Sequence, residues 1–344
     1  MRIILHIGMQ KTGTTSLQKW FADHEKQVES LGWRCITNPF AIMRFHKIAY
    51  NPVHVKAEVD RAEAEGVEAL LFSVEGISTF SAEHIRDVVD LFKGKTVEIV
   101  LCLRHWSGFL PSRWSQACAW GDVQSFPAYL SELTRLRTSH IDACYPLVID
   151  RTLHSNPDKL SIISYNNATS QNAFLTTFLN AIGFPSTISN TETLSRANTK
   201  RDNQVVELAR LFYGVVRERK QAGMNPFFES KLTGTPLKGG LTHSRLVSLI
   251  RQYNPDLIDE LERRLASDIV NDWQTMMQDE ILDWESSAQI AAAPYLVNPI
   301  DGRLFASREP SKESYSRIEV GMIPSDLKPN MISALEDARA EDSE

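Results

Sequence analysis

The stretch HIGMQKTGTTSLQKWF, residues 6–21, combines residue types that bind oxyanions. Its first part, from Gly8 to Ser16, holds two glycines, a lysine between them and four hydroxyl residues: Gly8, Lys11, Thr12, Gly13, Thr14, Thr15 and Ser16. Glycines let backbone amides approach an anion, hydroxyls donate hydrogen bonds, and the lysine supplies positive charge. The spacing nearly matches the phosphate loop G-x-x-x-x-G-K-[ST], but Thr14 stands at the lysine position and the lysine lies earlier. The stretch therefore predicts an altered nucleotide loop or a loop for a different anion, and the plain alternative is an ordinary strand–helix turn with a solvated lysine.

Two further segments carry residues that could act at the same site. In LCLRHWSGFLPSRWSQ, residues 101–116, Arg104 ends an apolar run and Ser112 follows eight residues later. A guanidinium fork and a hydroxyl could both bind one phosphate there. In LLFSVEGIS, residues 70–78, Glu75 follows another apolar run and could act as a general base toward a hydroxyl or amine. The plain alternatives are a surface arginine, a helix-capping serine and a salt-bridged glutamate.

The apolar pattern predicts the elements that position these residues. Five segments indicate strands: four are apolar runs, RIILHIG, VEALLFSVE, TVEIVLCLR and LSIISY, and WRCIT is a short one. Helical patterns alternate with them: one begins at Thr14 or Thr15, one runs from Ser81 to Phe92, one continues to Trp120, and SQNAFLTTFLNAIG ends at Gly183. Strands alternating with helices predict an α/β fold with a parallel sheet covered on both faces. In such sheets ligands bind outside the carboxyl ends of the strands.

The pattern changes in the second half of the chain. Residues 191–290 are mainly helical in pattern, with a glycine-rich, basic loop between two amphipathic segments. Residues 291–344 are polar and interrupted by prolines. We predict one α/β domain over residues 1–290, with the sheet core and cofactor loops in 1–190, followed by a partly irregular extension over 291–344.

Composition narrows the class of protein. The chain has 344 residues, of which 42% are hydrophobic, and a formal net charge of −6, which argues against a nucleic-acid binder. Its four cysteines are scattered without zinc-ligand spacing, so we predict no metal site. The N-terminus lacks the pattern of a signal peptide, and no window has the roughly 18 apolar residues of a membrane span. These features predict a cytoplasmic protein with no transmembrane segment.

Together these motifs resemble the bacterial branch of the sulfotransferases that use 3′-phosphoadenosine-5′-phosphosulfate (PAPS). KTGTTSLQ is similar to that family's 5′-phosphosulfate loop, and Arg104 with Ser112 reproduces its 3′-phosphate element. FSVEGIS resembles the segment that carries the base, and ISYNNATSQNAFLTTFLNAIGFP resembles a later strand–tyrosine–helix unit. The resemblance covers roughly residues 2–200.

The resemblance implies a three-layer, P-loop-like fold with a mainly helical C-terminal part. It implies in-line transfer of a sulfuryl group from PAPS, without a metal, to a hydroxyl or amine of a glycan, lipid headgroup or small metabolite. Lys11 would neutralise the leaving oxygen and Glu75 would act as the base. The implied cofactor-binding residues are Lys11, Thr12, Gly13, Thr14, Thr15, Ser16, Arg104, Ser112 and Arg196.

The chain departs from the family pattern in three places. Gln10 replaces a common proline, Ser16 replaces a common tryptophan, and no R-K-G-x-x-G-D-W segment is found. Two segments are therefore candidates for the loop that closes over the nucleotide: SRANTKRDN, which contains Arg196, and PLKGG. Two other functions stay open: a P-loop kinase of a small metabolite, and a nucleotide-binding module without catalysis. Thr14 at the lysine position argues against the kinase, because triphosphate transfer uses that cation together with a metal.

Overall fold

The structure is a computed structural model that describes residues 1–36, 52–119, 122, 124–185, 194, 206, 210, 214, 217, 218, 284–297 and 303–305. Of the residues predicted for the site, Arg196 lies outside these ranges. So do most of the predicted helical part, 191–290, and most of the extension, 291–344. The division into these parts stays a prediction.

Strands and helices alternate along the first half of the chain. The strands are β1 (Arg2–His6), β2 (Trp33–Ile36), β3 (Ala69–Ser73), β4 (Thr96–Leu103) and β5 (Lys159–Ser164). The helices are α1 (Thr14–Asp23), α2 (Glu25–Ser30), α3 (Pro52–Ala64), α4 (Ala82–Asp90), α5 (Trp106–Ala119), α6 (Phe126–Arg135), α7 (Tyr145–His154), α8 (Tyr165–Ser170) and α9 (Phe174–Ala181). Short 3₁₀ helices span Glu75–Thr79 and Ala293–Tyr295, and residues 284–292 are helical.

The five strands form one sheet in the order β2-β3-β1-β4-β5, and every neighbouring pair is parallel. The predicted α/β fold with a parallel sheet is confirmed. Strands β1, β3 and β4 are buried almost throughout, which explains why their sequences are continuous apolar runs. The chain passes from β1 out to β2, returns through β3 and crosses to β4, so the direction of winding changes beside β1.

Helices cover both faces of the sheet. On one face, Ile4, Leu71 and Val100 belong to a core cluster shared with α1, α2 and α9, whose members include Leu17, Trp20, Phe21, Val28, Phe174 and Phe178. On the other face, Phe72 contacts Phe92, with ring centroids 5.4 Å apart, and α4 packs against α7. The alternation of Leu71 and Phe72 between faces follows from the two-residue period of a strand.

Two helices begin where the sequence predicts. Thr14 is the first residue of α1, whose buried side chains include the predicted Leu17, Trp20 and Phe21. Ser81 caps α4, where its Oγ accepts a hydrogen bond from the backbone N–H of His84. A capping hydroxyl satisfies one of the amides that the first turn leaves unpaired.

The predicted helix over residues 170–183 is wrong at its start. Residue Ser170 ends α8, and α9 begins only at Phe174. Asn172 lies between them with φ 53°, a left-handed conformation that interrupts the helix. Ile182 is the C-cap of α9, and Gly183, which the sequence predicts as the cap, is the residue after it, with φ 66°.

The contacts divide the chain into two compact units. The first comprises Met1–Phe109, Leu133–Asn198 and Asp279–Glu309, and the second comprises Leu110–Glu132, Thr199–Gln278 and Pro310–Glu344. The first unit contains the sheet. Leu296 forms a parallel bridge with Ile162 of β5, and the backbone N–H of Val297 donates to the carbonyl oxygen of Ile162. In the second unit, Nε1 of Trp114 donates to the carbonyl oxygen of Gln124 at 2.8 Å. Across the described ranges, no helix is long and apolar enough to span a bilayer.

Candidate functional site

The loop of residues 7–13 joins β1 to α1 at the carboxyl edge of the sheet. It stays attached to β4, because the backbone N–H groups of Ile7 and Met9 donate to the carbonyl oxygens of Val100 and Cys102 at 3.0 and 3.1 Å. Gly8 lies between them against the sheet. The residues that follow β3 and β4 lie at the same edge, since His6 pairs with Ser73 and with Val100 in the parallel register.

Two residues with left-handed backbone conformation change the direction of the chain where the loop enters α1. Lys11 has φ 67° and Gly13 has φ 79°, so the chain reverses sharply between β1 and α1. Oγ1 of Thr12, a fully buried residue, donates to the carbonyl oxygen of Met9 at 2.6 Å. The carbonyl oxygen of Gly13 accepts from the N–H of Ser16 and of Leu17, which starts the helical hydrogen bonding. The Thr12 hydroxyl therefore holds the loop together.

Gly13 is required by its surroundings as well as by its φ. A Cβ at this position would lie 3.0 Å from Cε2 of Tyr165 and 3.0 Å from Cε1 of Phe174. These two rings contact each other with centroids 5.0 Å apart. The first turn of α1 is thus packed against α8 and α9, and a side chain at Gly13 would push it away.

Thr14 carries a buried hydroxyl at the N-terminus of α1. The residue is 2% exposed, and its Oγ1 has no hydrogen-bond partner within the described part of the chain. Thr15 is exposed and Ser16 is half-buried on the same turn. The first turn of α1 holds no acidic residue. A helix N-terminus with an unsatisfied buried hydroxyl favours a bound oxyanion, because both supply donors and partial positive charge.

Glu75 begins the 3₁₀ helix that follows β3 and is half-buried. Oγ of Ser78 donates to its carbonyl oxygen at 2.9 Å and lies 3.4 Å from the carbonyl oxygen of Gly8. Burial raises the pKa of the Cys102 thiol, and the negative charge of Glu75 raises that pKa further. The Glu75 carboxylate therefore lies within electrostatic range of the strand to which the loop is attached.

Arg104 follows β4 and contacts the loop directly. Its Nη1 donates to the carbonyl oxygen of Lys11 at 2.9 Å, and its guanidinium carbon lies 5.5 Å from the ring centroid of Tyr165. Ser112 lies within α5, is half-buried, and belongs to the second compact unit. Its pairing with Arg104 on one phosphate stays a prediction. The structure brings Lys11 and Arg104 together, with Thr12, Gly13 and Thr14 in the same loop and turn.

Two buried histidines near this edge escaped the sequence analysis. His6 is fully buried, and its ring lies 2.9 Å from Oγ of Ser73 through Nδ1 and 3.5 Å from Sγ of Cys102 through Nε2. Burial lowers the pKa of His6 to about 4. The sequence signal for its burial is its position at the end of an apolar run, because the residues of a strand covered on both faces are buried.

His105 is the second buried histidine, at the N-terminus of α5. Its Nδ1 accepts from the backbone N–H of Ser107 at 3.1 Å and lies 2.6 Å from Oγ of the same residue, while Nε2 bonds to Glu285. Its backbone N–H donates to Oδ1 of Asn166 at 2.8 Å. His105 therefore caps α5 and connects it to helical residues 284–292. Glu285 is 180 residues away in sequence, so no local pattern could reveal the pair.

A groove of about 530 Å³ lies elsewhere in the first unit, along α7 and residues 291–295. It is lined by Cys144, Leu147, Asp150, Leu153, Pro294 and Tyr295, among others. None of the predicted site residues lines it. Over the described ranges, no three His, Cys, Asp or Glu side chains are grouped to hold a metal ion.

Comparison of the chain with family models, with curated proteins and with solved structures finds no match. The function is therefore inferred from the arrangement of the chain's own residues. At the carboxyl edge of the sheet that arrangement combines the N-terminus of α1 and Lys11 in the loop before it. Arg104 contacts this loop, and Glu75 follows the neighbouring strand β3.

Proposed function

We propose that this chain is a PAPS-dependent sulfotransferase with a P-loop-like fold, acting on a hydroxyl or amine of a glycan, lipid headgroup or small metabolite. The proposal depends on an anion site, and one observation is the main support for that site. Thr14 Oγ1 is buried at the N-terminus of α1 without a partner among the described residues. A buried, unsatisfied hydroxyl costs free energy, and a bound oxyanion would remove that cost.

The position of the loop supports the same proposal. Ligands of open parallel sheets bind outside the carboxyl ends of the strands, where the strand order changes direction. Here the change of direction occurs beside β1, and the β1–α1 loop is the connection that leaves this strand. The loop offers the first-turn amides of α1, the Thr14 hydroxyl and the charge of Lys11.

The residues of the loop fit the 5′-phosphosulfate end of PAPS. PAPS would supply the sulfuryl group, which is a good electrophile because adenosine 3′,5′-bisphosphate leaves with the bridging oxygen. Thr14, Thr15 and the amides of the first turn of α1 would bind the 5′-phosphate, and Lys11 would neutralise the charge that develops on the leaving oxygen. Glu75 would accept the proton of the attacking hydroxyl or amine.

The displaced lysine favours a sulfuryl donor over a nucleoside triphosphate. In a triphosphate loop the lysine follows the second glycine and reaches the β and γ phosphates, whereas here Thr14 holds that position. Lys11 lies before Gly13 in the left-handed part of the loop. A phosphosulfate carries less charge than a triphosphate, so amides with one cation are sufficient to bind it.

A thermal-shift titration tests the proposal. Adenosine 3′,5′-bisphosphate without metal should raise the melting temperature of the full chain, and ATP with Mg²⁺ should raise it less. Mg²⁺-dependent stabilisation by ATP alone would instead support the small-molecule kinase. Stabilisation by neither nucleotide would overturn the proposal.

Transfer of labelled sulfate from PAPS tests the chemistry. We expect transfer to one of three acceptor sets: oligosaccharides, lipid headgroup analogues and small hydroxylated or amino compounds. Lys11→Ala should reduce transfer by about 10²–10³-fold while leaving the melting temperature of the free protein within a few degrees. Binding of the bisphosphate with no transfer to any set would support the module without catalysis.

A further inference from the structure

The Arg104 side chain acts on the loop itself. Its Nη1 donates to the carbonyl oxygen of Lys11, and the N···O distance is 2.9 Å. Lys11 has φ 67°, a backbone conformation that is unfavourable for any residue with a Cβ. A hydrogen bond from a charged donor to this carbonyl fixes the peptide plane that leads from Lys11 to Thr12.

The guanidinium group of Arg104 is held on two sides. A Cβ at Gly108 would lie 2.9 Å from its Nη2 and 3.0 Å from its Nε, so the absence of a side chain there gives the guanidinium its place. The ring of Tyr165 faces it, with 5.5 Å between the guanidinium carbon and the ring centroid. The same ring lies against Gly13. Gly108, Arg104, Tyr165 and Gly13 therefore form a continuous packed series from α5 to the start of α1.

We propose that Arg104 is a positioning residue that holds Lys11 in its left-handed conformation, and that it sets the affinity of the loop for any 5′-phosphate ligand. Holding the Lys11 carbonyl restrains the backbone at Lys11 and, with it, the direction in which the lysine side chain leaves the backbone. The alternative is that Arg104 recognises the 3′-phosphate. The ligand-binding half of this inference rests on the proposed function, whereas the holding of the loop does not need a ligand.

Hydrogen exchange of the ligand-free chain tests the holding of the loop. In Arg104→Met, which keeps the apolar stem and removes the donors, peptides covering residues 8–17 should exchange at least about tenfold faster than in the wild type. The amides of Met9, Ser16 and Leu17 are hydrogen-bonded in this segment and report on it. Exchange in β1 should not change, which confirms that the variant folds.

Two further variants make this test specific. Arg104→Lys keeps one charged donor and should restore part of the protection. Arg86→Met is the matched control, because Arg86 also donates to a backbone carbonyl, that of His154, at a surface away from the loop. It should exchange as the wild type does over residues 8–17. Wild-type exchange of the loop in Arg104→Met would overturn the inference.

A pair of ligands separates positioning from recognition of the 3′-phosphate. Calorimetry should show that Arg104→Met weakens adenosine 3′,5′-bisphosphate and adenosine 5′-phosphate by the same factor, about tenfold, so that the ratio of their affinities stays at the wild-type value. A loss confined to the bisphosphate would overturn the inference and assign Arg104 to the 3′-phosphate. Failure of both ligands to bind the wild type would contradict the proposed function, and hydrogen exchange would still decide the role of Arg104 in the loop.

Discussion

Gly8 lies against the buried ring of His6: a Cβ atom on Gly8 would be 2.9 Å from Nε2 of the histidine. The same Cβ would lie 3.2 Å from Cβ and 3.3 Å from the backbone nitrogen of Cys102 in β4. At Gly8 the loop therefore crosses the end of the sheet with no space for a side chain. This contact ties the geometry of the candidate site to the packing of the sheet beneath it.

Gly8→Ala should lower the free energy of unfolding by about 1–3 kcal/mol, because the methyl group overlaps backbone and ring atoms that are packed on all sides. Chemical denaturation measures the change. Gly76→Ala is the control, since a Cβ at Gly76, at the same edge of the sheet, meets no atom within 4 Å. Equal stability of the two variants would contradict the close packing of the loop.

His6 should make stability depend on pH. Burial lowers its pKa from 6.5 to about 4 in the folded chain, so between these values the unfolded chain binds a proton that the folded chain does not. The stabilisation is complete above pH 6.5 and is lost as the pH falls through about 4. Its size is on the order of 3 kcal/mol.

Denaturation curves at several pH values between 4.5 and 7.5 test this effect of His6. His6→Gln removes the titrating group, so its free energy of unfolding should fall less steeply toward acid pH than that of the wild type. Other groups titrate in both proteins, and the difference between the two slopes isolates His6. Identical slopes would show that the ring is not kept neutral by burial.

The sheet was predictable because its signal is local. Strands buried on both faces need continuous apolar runs, and RIILHIG, LLFS and TVEIVLCL are such runs. Ser81 was predictable as a cap for the same reason, since a capping hydroxyl acts within three residues. In contrast, α2 is six residues long and buries only Val28, so it has no apolar repeat to detect.

The candidate site was predictable only in its parts. Strand ends indicated Lys11, Glu75 and Arg104, because the carboxyl ends of parallel strands share one edge. The hydrogen bond from Arg104 to Lys11 joins residues 93 apart, and its geometry depends on the left-handed turn at Lys11. No sequence pattern indicates a lysine with positive φ. The pairing of His105 with Glu285 was likewise not predictable, because the two residues are 180 apart in the sequence.

Thr14→Val should have opposite effects on stability and on binding. Valine has the shape of threonine without its hydroxyl, and Thr14 Oγ1 lacks a partner among the described residues. The free energy of unfolding of the ligand-free chain should therefore stay the same or rise by up to about 1 kcal/mol. Affinity for adenosine 3′,5′-bisphosphate should fall about tenfold, because one donor to the anion is lost.

Thr152→Val is the matched control for Thr14→Val. Thr152 is also buried, but its Oγ1 donates to the carbonyl oxygen of Val148 at 2.8 Å, within α7. Its replacement should cost about 1 kcal/mol of stability and leave the affinity for the bisphosphate unchanged. A loss of stability in Thr14→Val as large as in the control would mean that the Thr14 hydroxyl is satisfied within the protein.

Glu75→Gln should separate catalysis from binding. The amide keeps the shape of the carboxylate but cannot accept a proton from the acceptor, so sulfate transfer from PAPS should fall by about 10²–10⁴-fold at saturating donor. The affinity for adenosine 3′,5′-bisphosphate should stay within a few-fold of the wild type, because the proposed function assigns nucleotide binding to the loop and not to Glu75. Glu63→Gln is the control, since Glu63 pairs with Lys95 at the surface and has no expected role. Unchanged transfer in Glu75→Gln would remove Glu75 as the base, whereas a parallel loss of binding would assign it to holding the loop, with which Ser78 already connects it through Gly8.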